Sequence, residues 1–149
     1  MEEKPLKPWM WFVLRFAGTF NLLAGLSMCV FYSEGFRMLG IKKPPLMLPM
    51  QLVGTMVMLF GIGYHLVAGN PVENRNVLTL GFLSKFLGST LGIGYVALGK
   101  LPLVFLPVLF FADIIYLPFF GAIMWRLYRL AHAKRVGSDA GIALKHRPA

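Results

Sequence analysis

Four apolar blocks, each about the length of a bilayer crossing, alternate with short polar segments along the chain: residues 9–32, 46–68, 71–98 and 103–125. At about 1.5 Å per residue, each is long enough to cross roughly 30 Å of hydrocarbon as a helix. Inside each block the small and polar residues recur at three-four spacing, which gathers them on one helical face. Helices with one small, polar seam and apolar residues elsewhere turn the seam to their neighbours and the rest to lipid. The pattern predicts an all-α fold, a transmembrane four-helix antiparallel bundle with short connections.

The seams can be read off block by block. The first carries Gly18, Asn21, Gly25, Met28 and Tyr32; the second Gln51, Gly54, Met58, Gly61 and His65. The third carries Gly81, Lys85, Gly88, Gly92, Tyr95 and Gly99, and the fourth Leu106, Leu109, Asp113, Tyr116 and Phe120. Pro107 and Pro118 each remove a ladder hydrogen bond and are expected to kink the fourth span. Ser33 to Pro45 reads as a loop, and Gly99-Lys100-Leu101-Pro102 as a short turn. Asn70-Pro71-Val72-Glu73 has the form of a capping box, with Asn70 as N-cap, Pro71 at the first helical position and Glu73 reaching back. That start makes spans two and three a tight hairpin.

Four crossings leave both termini on one side. Lys4, Lys7, Arg15, Arg75 and six basic residues after Trp125 fall there, against Arg37, Lys42, Lys43 and Lys100 on the other. The excess puts both termini, residues 1–8 and the basic tail 126–149, in the cytoplasm of what is read as a bacterial inner membrane. Trp9, Trp11 and Trp125 mark the interfaces.

With 57% hydrophobic and 14% charged residues, the chain is more apolar than soluble domains. Its net charge of +9 could suggest nucleic acid. The cations, however, lie at the ends of apolar blocks and form no groove-binding face, so no nucleic-acid partner is expected; anionic lipid heads account for them. Cys29 stands alone, which excludes an intrachain disulfide and paired-cysteine chemistry. Leu26-Ser27-Met28-Cys29 faintly resembles a lipoprotein acceptor site, but Met28 is too bulky for it, and the first block reads as a retained span.

Lys85 and Asp113 carry the sharpest chemical signal. Both fall near mid-membrane on consecutive antiparallel helices, about one turn apart in depth. A lone charge there costs about 2.5–3.5 kcal/mol on insertion scales, so the two are expected to pair. The pair reads either as an assembly pin between helices or as part of a proton relay or charged-ligand site. Arg15, a turn or two inside span one, is expected to snorkel outward. His65 is the only histidine inside a span, so a bis-histidine haem is not expected. No metal motif accompanies it, and its expected partner is Asn21 or a backbone carbonyl. Gln51, Asn21, Tyr95 and Tyr116 read as interhelical hydrogen-bond glue. The intramembrane polar set is thus Arg15, Asn21, Gln51, His65, Lys85, Asp113 and Tyr116. No nucleophile-base pair, phosphate loop or paired carboxylates stand out, and no catalytic residue is assigned.

The four short spans, Arg15 with Gly18 and Gly25 in the first, and the turn NPVENR leading to GFLSK resemble small DoxX-like membrane proteins. The resemblance implies a four-helix bundle and an association with quinone-linked redox complexes whose redox-active parts lie in partner subunits. On this basis the expected function is a non-enzymatic accessory subunit, or a binder of an apolar ligand such as a quinone or lipid tail, for which the nine methionines offer an adaptable interior. Other membrane subunits or a second copy would be its partners, beside the bilayer itself. The alternative is a proton-coupled carrier or channel using Arg15, His65, Lys85 and Asp113, and a quinone-reactive enzyme is the third.

Overall fold

The computed structural model describes the backbone of residues 4–145 and the side chains of 4–136; the outermost residues of both flanks lie outside the described residues. Four helices are long and apolar enough to cross a membrane: α1 (Pro8–Val30), α3 (Leu48–Gly69), α4 (Arg75–Ala97) and a fourth span over Phe105–Val136. The fourth consists of α5 (Phe105–Leu109), a π-helical turn (Phe110–Ile114) and α6 (Tyr116–Lys145). Large apolar side chains such as Phe12, Leu23, Leu59, Leu83, Leu91 and Phe111 stay exposed around the outside. Such a surface suits hydrocarbon and would be untenable in water. The chain is an integral membrane protein folded as a four-helix bundle.

The most intimate contact joins α1 and α3, and glycines make it. A methyl group on Gly61 would lie 2.8 Å from the Gly18 carbonyl oxygen, and one on Gly54 would lie 2.8 Å from that of Gly25. Two glycines seven residues apart on one helix therefore meet two glycines seven apart on the other, running antiparallel. Where lipid is as apolar as leucine, this close backbone approach is what makes association favourable.

The side-chain core lies elsewhere, in the half of the bundle nearer the chain ends. Leu14, Val67, Tyr64, Leu78, Phe120, Ile123 and Leu127 are fully buried there. Arg126 ties the amino-terminal segment down, donating to the carbonyls of Pro5 (3.0 Å) and Lys4 (3.1 Å). The start of α1 and the middle of α6 thus share one end of the bundle. In the other half, the buried positions of α1 and α3 are Asn21 and the glycines that join the two helices, and α4 meets the fourth span where Gly92 lies against Leu109.

Several local expectations need correction. Ser33–Pro45 is not all loop: α2 (Tyr32–Met38) occupies its first half, with Glu34 in its first turn and Arg37 in its last, each complementing the helix dipole. Gly40, at φ 65°, closes α2 with bonds from the Gly40 N–H to the Arg37 carbonyl and from the Ile41 N–H to the Phe36 carbonyl. This is a Schellman end, and only glycine adopts that backbone conformation without strain. Gly99 ends α4 in the same way. The capping box does not form. Asn70 instead ends α3 and donates to the Glu73 carboxylate, while Asn74 caps the Leu66 carbonyl and α4 starts at Arg75. The hairpin between spans two and three is nonetheless tight.

Pro107 falls in the first turn of α5, where its missing N–H has no ladder partner to lose. Pro118 lies inside the fourth span and deprives the Ile114 carbonyl of its donor. The π-helical turn stands just before it, with the Ile115 N–H bonded to the Phe110 carbonyl at 3.0 Å. Past Trp125 the helix continues without a break, where the sequence pattern expects the span to end.

Gly61→Leu should lower the unfolding temperature in detergent markedly, by an overpacking cost of about 1–3 kcal/mol. Gly88→Leu, at a position with nothing within 4 Å, should leave it nearly unchanged. Equal losses from the two would show that the α1–α3 glycine contact is not what holds these helices.

Candidate functional site: a buried lysine and its aspartate

Lys85 sits ten residues into α4, about 15 Å along the helix, on the face where Leu78, Gly81 and Ser89 are also buried. Its residue surface is 5% exposed, so the ammonium must find its partners within the protein. It donates to Asp113 Oδ1 at 2.9 Å and to the Ala112 carbonyl at 2.7 Å. The third partner is the ring of Tyr116, 4.9 Å from Nζ to its centroid, a cation–π contact on the same helix one turn on. The expected pair is therefore formed, and Tyr116 joins it through its ring.

The π-helical turn explains the second bond. A π turn carries an extra residue, so carbonyls and helical N–H groups no longer match one to one. Asp113 and Ala112 both belong to that turn, and Lys85 reaches the carboxylate and the carbonyl together. Asp113 keeps a 26% exposed side chain, so the pair sits at the rim of the buried core.

Below the pair, Tyr64 fills the middle of the bundle. It is 1% exposed, meets Phe120 edge-on with centroids 4.9 Å apart, and lies against Gly81. A methyl group on Gly81 would come within 2.5 Å of the Tyr64 hydroxyl oxygen, so only glycine leaves room for that ring. Tyr116 extends the aromatic stack, 5.8 Å from Phe120 and 6.3 Å from Phe20.

A second polar cluster lies nearer the chain ends, between α1 and α3. Arg15 donates through Nη1 to His65 Nδ1 at 3.2 Å. A guanidinium has no acceptor, so Nδ1 is unprotonated and the ring proton of neutral His65 sits on Nε2, facing the Thr19 hydroxyl at 3.5 Å. The guanidinium lies 5.3 Å over the Trp11 ring, one turn toward the membrane surface, as a snorkelling arginine would. Its Nε is buried without a hydrogen-bond partner.

Of the predicted polar set, then, the structure joins Lys85 with Asp113 and Tyr116, and Arg15 with His65. His65 is held by Arg15 and Thr19, not by Asn21, which is buried on α1. Gln51 is exposed near the start of α3 and belongs to neither cluster; its backbone carbonyl accepts from Thr55 and Cys29, and its N–H donates to the Met47 carbonyl. Tyr95 is exposed, with Lys100 over its ring. The polar seam of α4 drifts accordingly: Ser89 is buried, its hydroxyl without a partner, while Gly88 is exposed. Tyr64, Thr19, Ser89 and the Ala112 carbonyl carry no sequence motif. Ser89 was within reach of spacing alone, since it lies four residues from Lys85.

Fold and site together define a small four-span membrane protein with a buried Lys85–Asp113 ion pair between two of its spans. No family model, curated protein or solved structure matches the chain. Among the described residues, no group of three or more His, Cys, Asp or Glu side chains is placed to hold a metal ion.

Lys85→Met and Asp113→Leu should each destabilise the protein in detergent by about 3–5 kcal/mol, since each leaves a buried charge alone. The double substitution should be more stable than either. Additive losses in this cycle would mean that the two side chains do not depend on each other.

Proposed function

We propose that the protein is a non-enzymatic membrane subunit of DoxX-like type, built to dock on other membrane components or to hold an apolar ligand such as a quinone or lipid tail. Its setting in this reading is a bacterial inner membrane, with both chain ends in the cytoplasm. The observation that carries the reading is how Lys85 is used. Its hydrogen bonds go to Asp113 and Ala112 of the neighbouring span, which is the arrangement of a structural pin between two helices. A cation poised for transport would instead face a hydrated path.

A crevice in the fold supports the apolar-ligand part of the reading. A crevice of about 160 Å3 opens between α1 and the fourth span, lined by Phe12, Phe16, Ile115, Tyr116 and Phe119. Flat aromatic walls of this kind suit a ring or a hydrocarbon chain and offer little to a polar substrate. The same Tyr116 carries Lys85 over its ring, so a ligand in the crevice would touch the residue that the pin rests on. Charge supports this orientation: Lys7, Arg75, Arg126 and Arg129 all belong to the end where the amino-terminal segment meets α6.

A proton-coupled carrier is the second reading, and one observation favours it. The Arg15–His65 pair and the Lys85–Asp113 pair occupy successive depths, with Tyr64, the residue beside His65, lying against the helix that carries Lys85. The two pairs nonetheless share no hydrogen bond among the described residues.

Proteoliposomes separate the readings. Wild type and Asp113→Asn should both show proton flux no greater than empty vesicles, and the purified protein should carry a bound apolar small molecule or co-purifying membrane proteins. Wild-type flux that a stably folded Asp113→Asn abolishes would overturn the subunit reading in favour of transport.

A further inference from the structure

At the end of the bundle that holds the chain's amino-terminal segment, the approach to α1 and the middle of α6 enclose an open groove of about 1210 Å3. Its floor is apolar: Met10, a core residue, together with Ala122, Leu130 and Ala133. Ala122, Arg126, Arg129 and Ala133 follow three-four spacing on α6, so two alanines leave space on the face that two arginines charge. The cations come from both walls, Lys7 from one and Arg126 and Arg129 from the other. No acidic side chain lines the groove among the described residues.

Arg126 fixes the shape of the groove. It binds the carbonyls of Lys4 and Pro5 and so holds one wall to the other, while Lys7 and Arg129 remain exposed. Trp125 and Tyr128 stand in the same lining, the pair of residue types that settles at the level of lipid headgroups. Tyr128 is itself anchored, donating to the Asn76 side chain at 3.0 Å.

We propose that this groove binds one anionic phospholipid, its phosphate held by Lys7 and Arg129 and its glycerol and upper acyl chains laid on the apolar floor. The site is independent of the function proposed for the ion pair. A phosphate alone would use the cations and leave the floor to water, whereas a lipid covers both. Zwitterionic lipid supplies the same chains but brings its own cation, which the lysine and arginines would repel.

The test uses the full chain in neutral detergent, given phosphatidylglycerol, phosphatidylcholine or soluble glycerol phosphate, with retained lipid read by native mass spectrometry and stability by unfolding temperature. Phosphatidylglycerol should be retained preferentially and should stabilise most. Lys7→Gln combined with Arg129→Gln should weaken its retention on the order of tenfold, while Lys42→Gln with Lys43→Gln, cations at the opposite end, should leave it unchanged. Three results would overturn the proposal: unaltered retention in the first double variant, an equal loss in the second, or stabilisation by glycerol phosphate alone as large as by the lipid. If the first double variant unfolds more easily without lipid, Arg129→Lys decides. It should keep the preference, and its failure to do so would also overturn the site.

Discussion

A charge inside hydrocarbon has no water to fall back on, and the geometry of the fourth span is arranged around that fact. Lys85 brings an ammonium with three donors to mid-membrane. Asp113 alone would leave part of that capacity unmet. The π-helical turn supplies the Ala112 carbonyl, and Tyr116 supplies the negative face of a ring. Pro118, by freeing the Ile114 carbonyl, makes the irregular turn less costly where it is needed.

The other half of the architecture is held by contacts of a different kind. The α1–α3 pair relies on van der Waals contact between backbones, with glycines where side chains would intervene. The α4–fourth-span pair relies on charge, aromatic rings and a hydroxyl network in which Tyr128 meets Thr79 and Asn76. Tyr64 joins the two, since it comes from α3 and fits against Gly81 of α4 and Phe120 of α6.

Much of this was legible in the sequence, for reasons that can be traced. The four apolar blocks have the length that a bilayer requires, and the glycine seams of spans one and two do face each other. Lys85 and Asp113 could be matched because antiparallel helices convert residue number into depth, and a mid-membrane charge has few possible partners. What the sequence did not reveal depends on backbone detail. The capping box at Asn70 shares its residue types with a helix-ending turn, and nothing local chooses between them. The π-helical turn has no residue signature beyond a proline several positions on. Asn21 or a backbone carbonyl is the partner that residue type suggests for His65, but Arg15 is the stronger donor and its long side chain reaches the ring. Gln51 lies on the right seam, but its place near the start of α3 leaves it exposed, far from either cluster.

The two polar clusters also differ in what a proton could do at each, and this bears on the choice between pin and carrier. At the Arg15–His65 pair, protonating Nδ1 would remove the acceptor of the arginine's hydrogen bond and place two cations within 3.2 Å. The guanidinium already takes the Nδ1 lone pair, which leaves a proton relay no open acceptor on that nitrogen. At the Lys85–Asp113 pair, moving the proton from the ammonium to the carboxylate would leave both groups neutral, and the amine would still have N–H groups for the Ala112 carbonyl. A pin tolerates that exchange without change of shape, because the donor and acceptor stay in hydrogen-bond contact. A carrier would need the exchange to break the contact and expose one partner, and the Ala112 bond and the Tyr116 ring both hold Lys85 where it is.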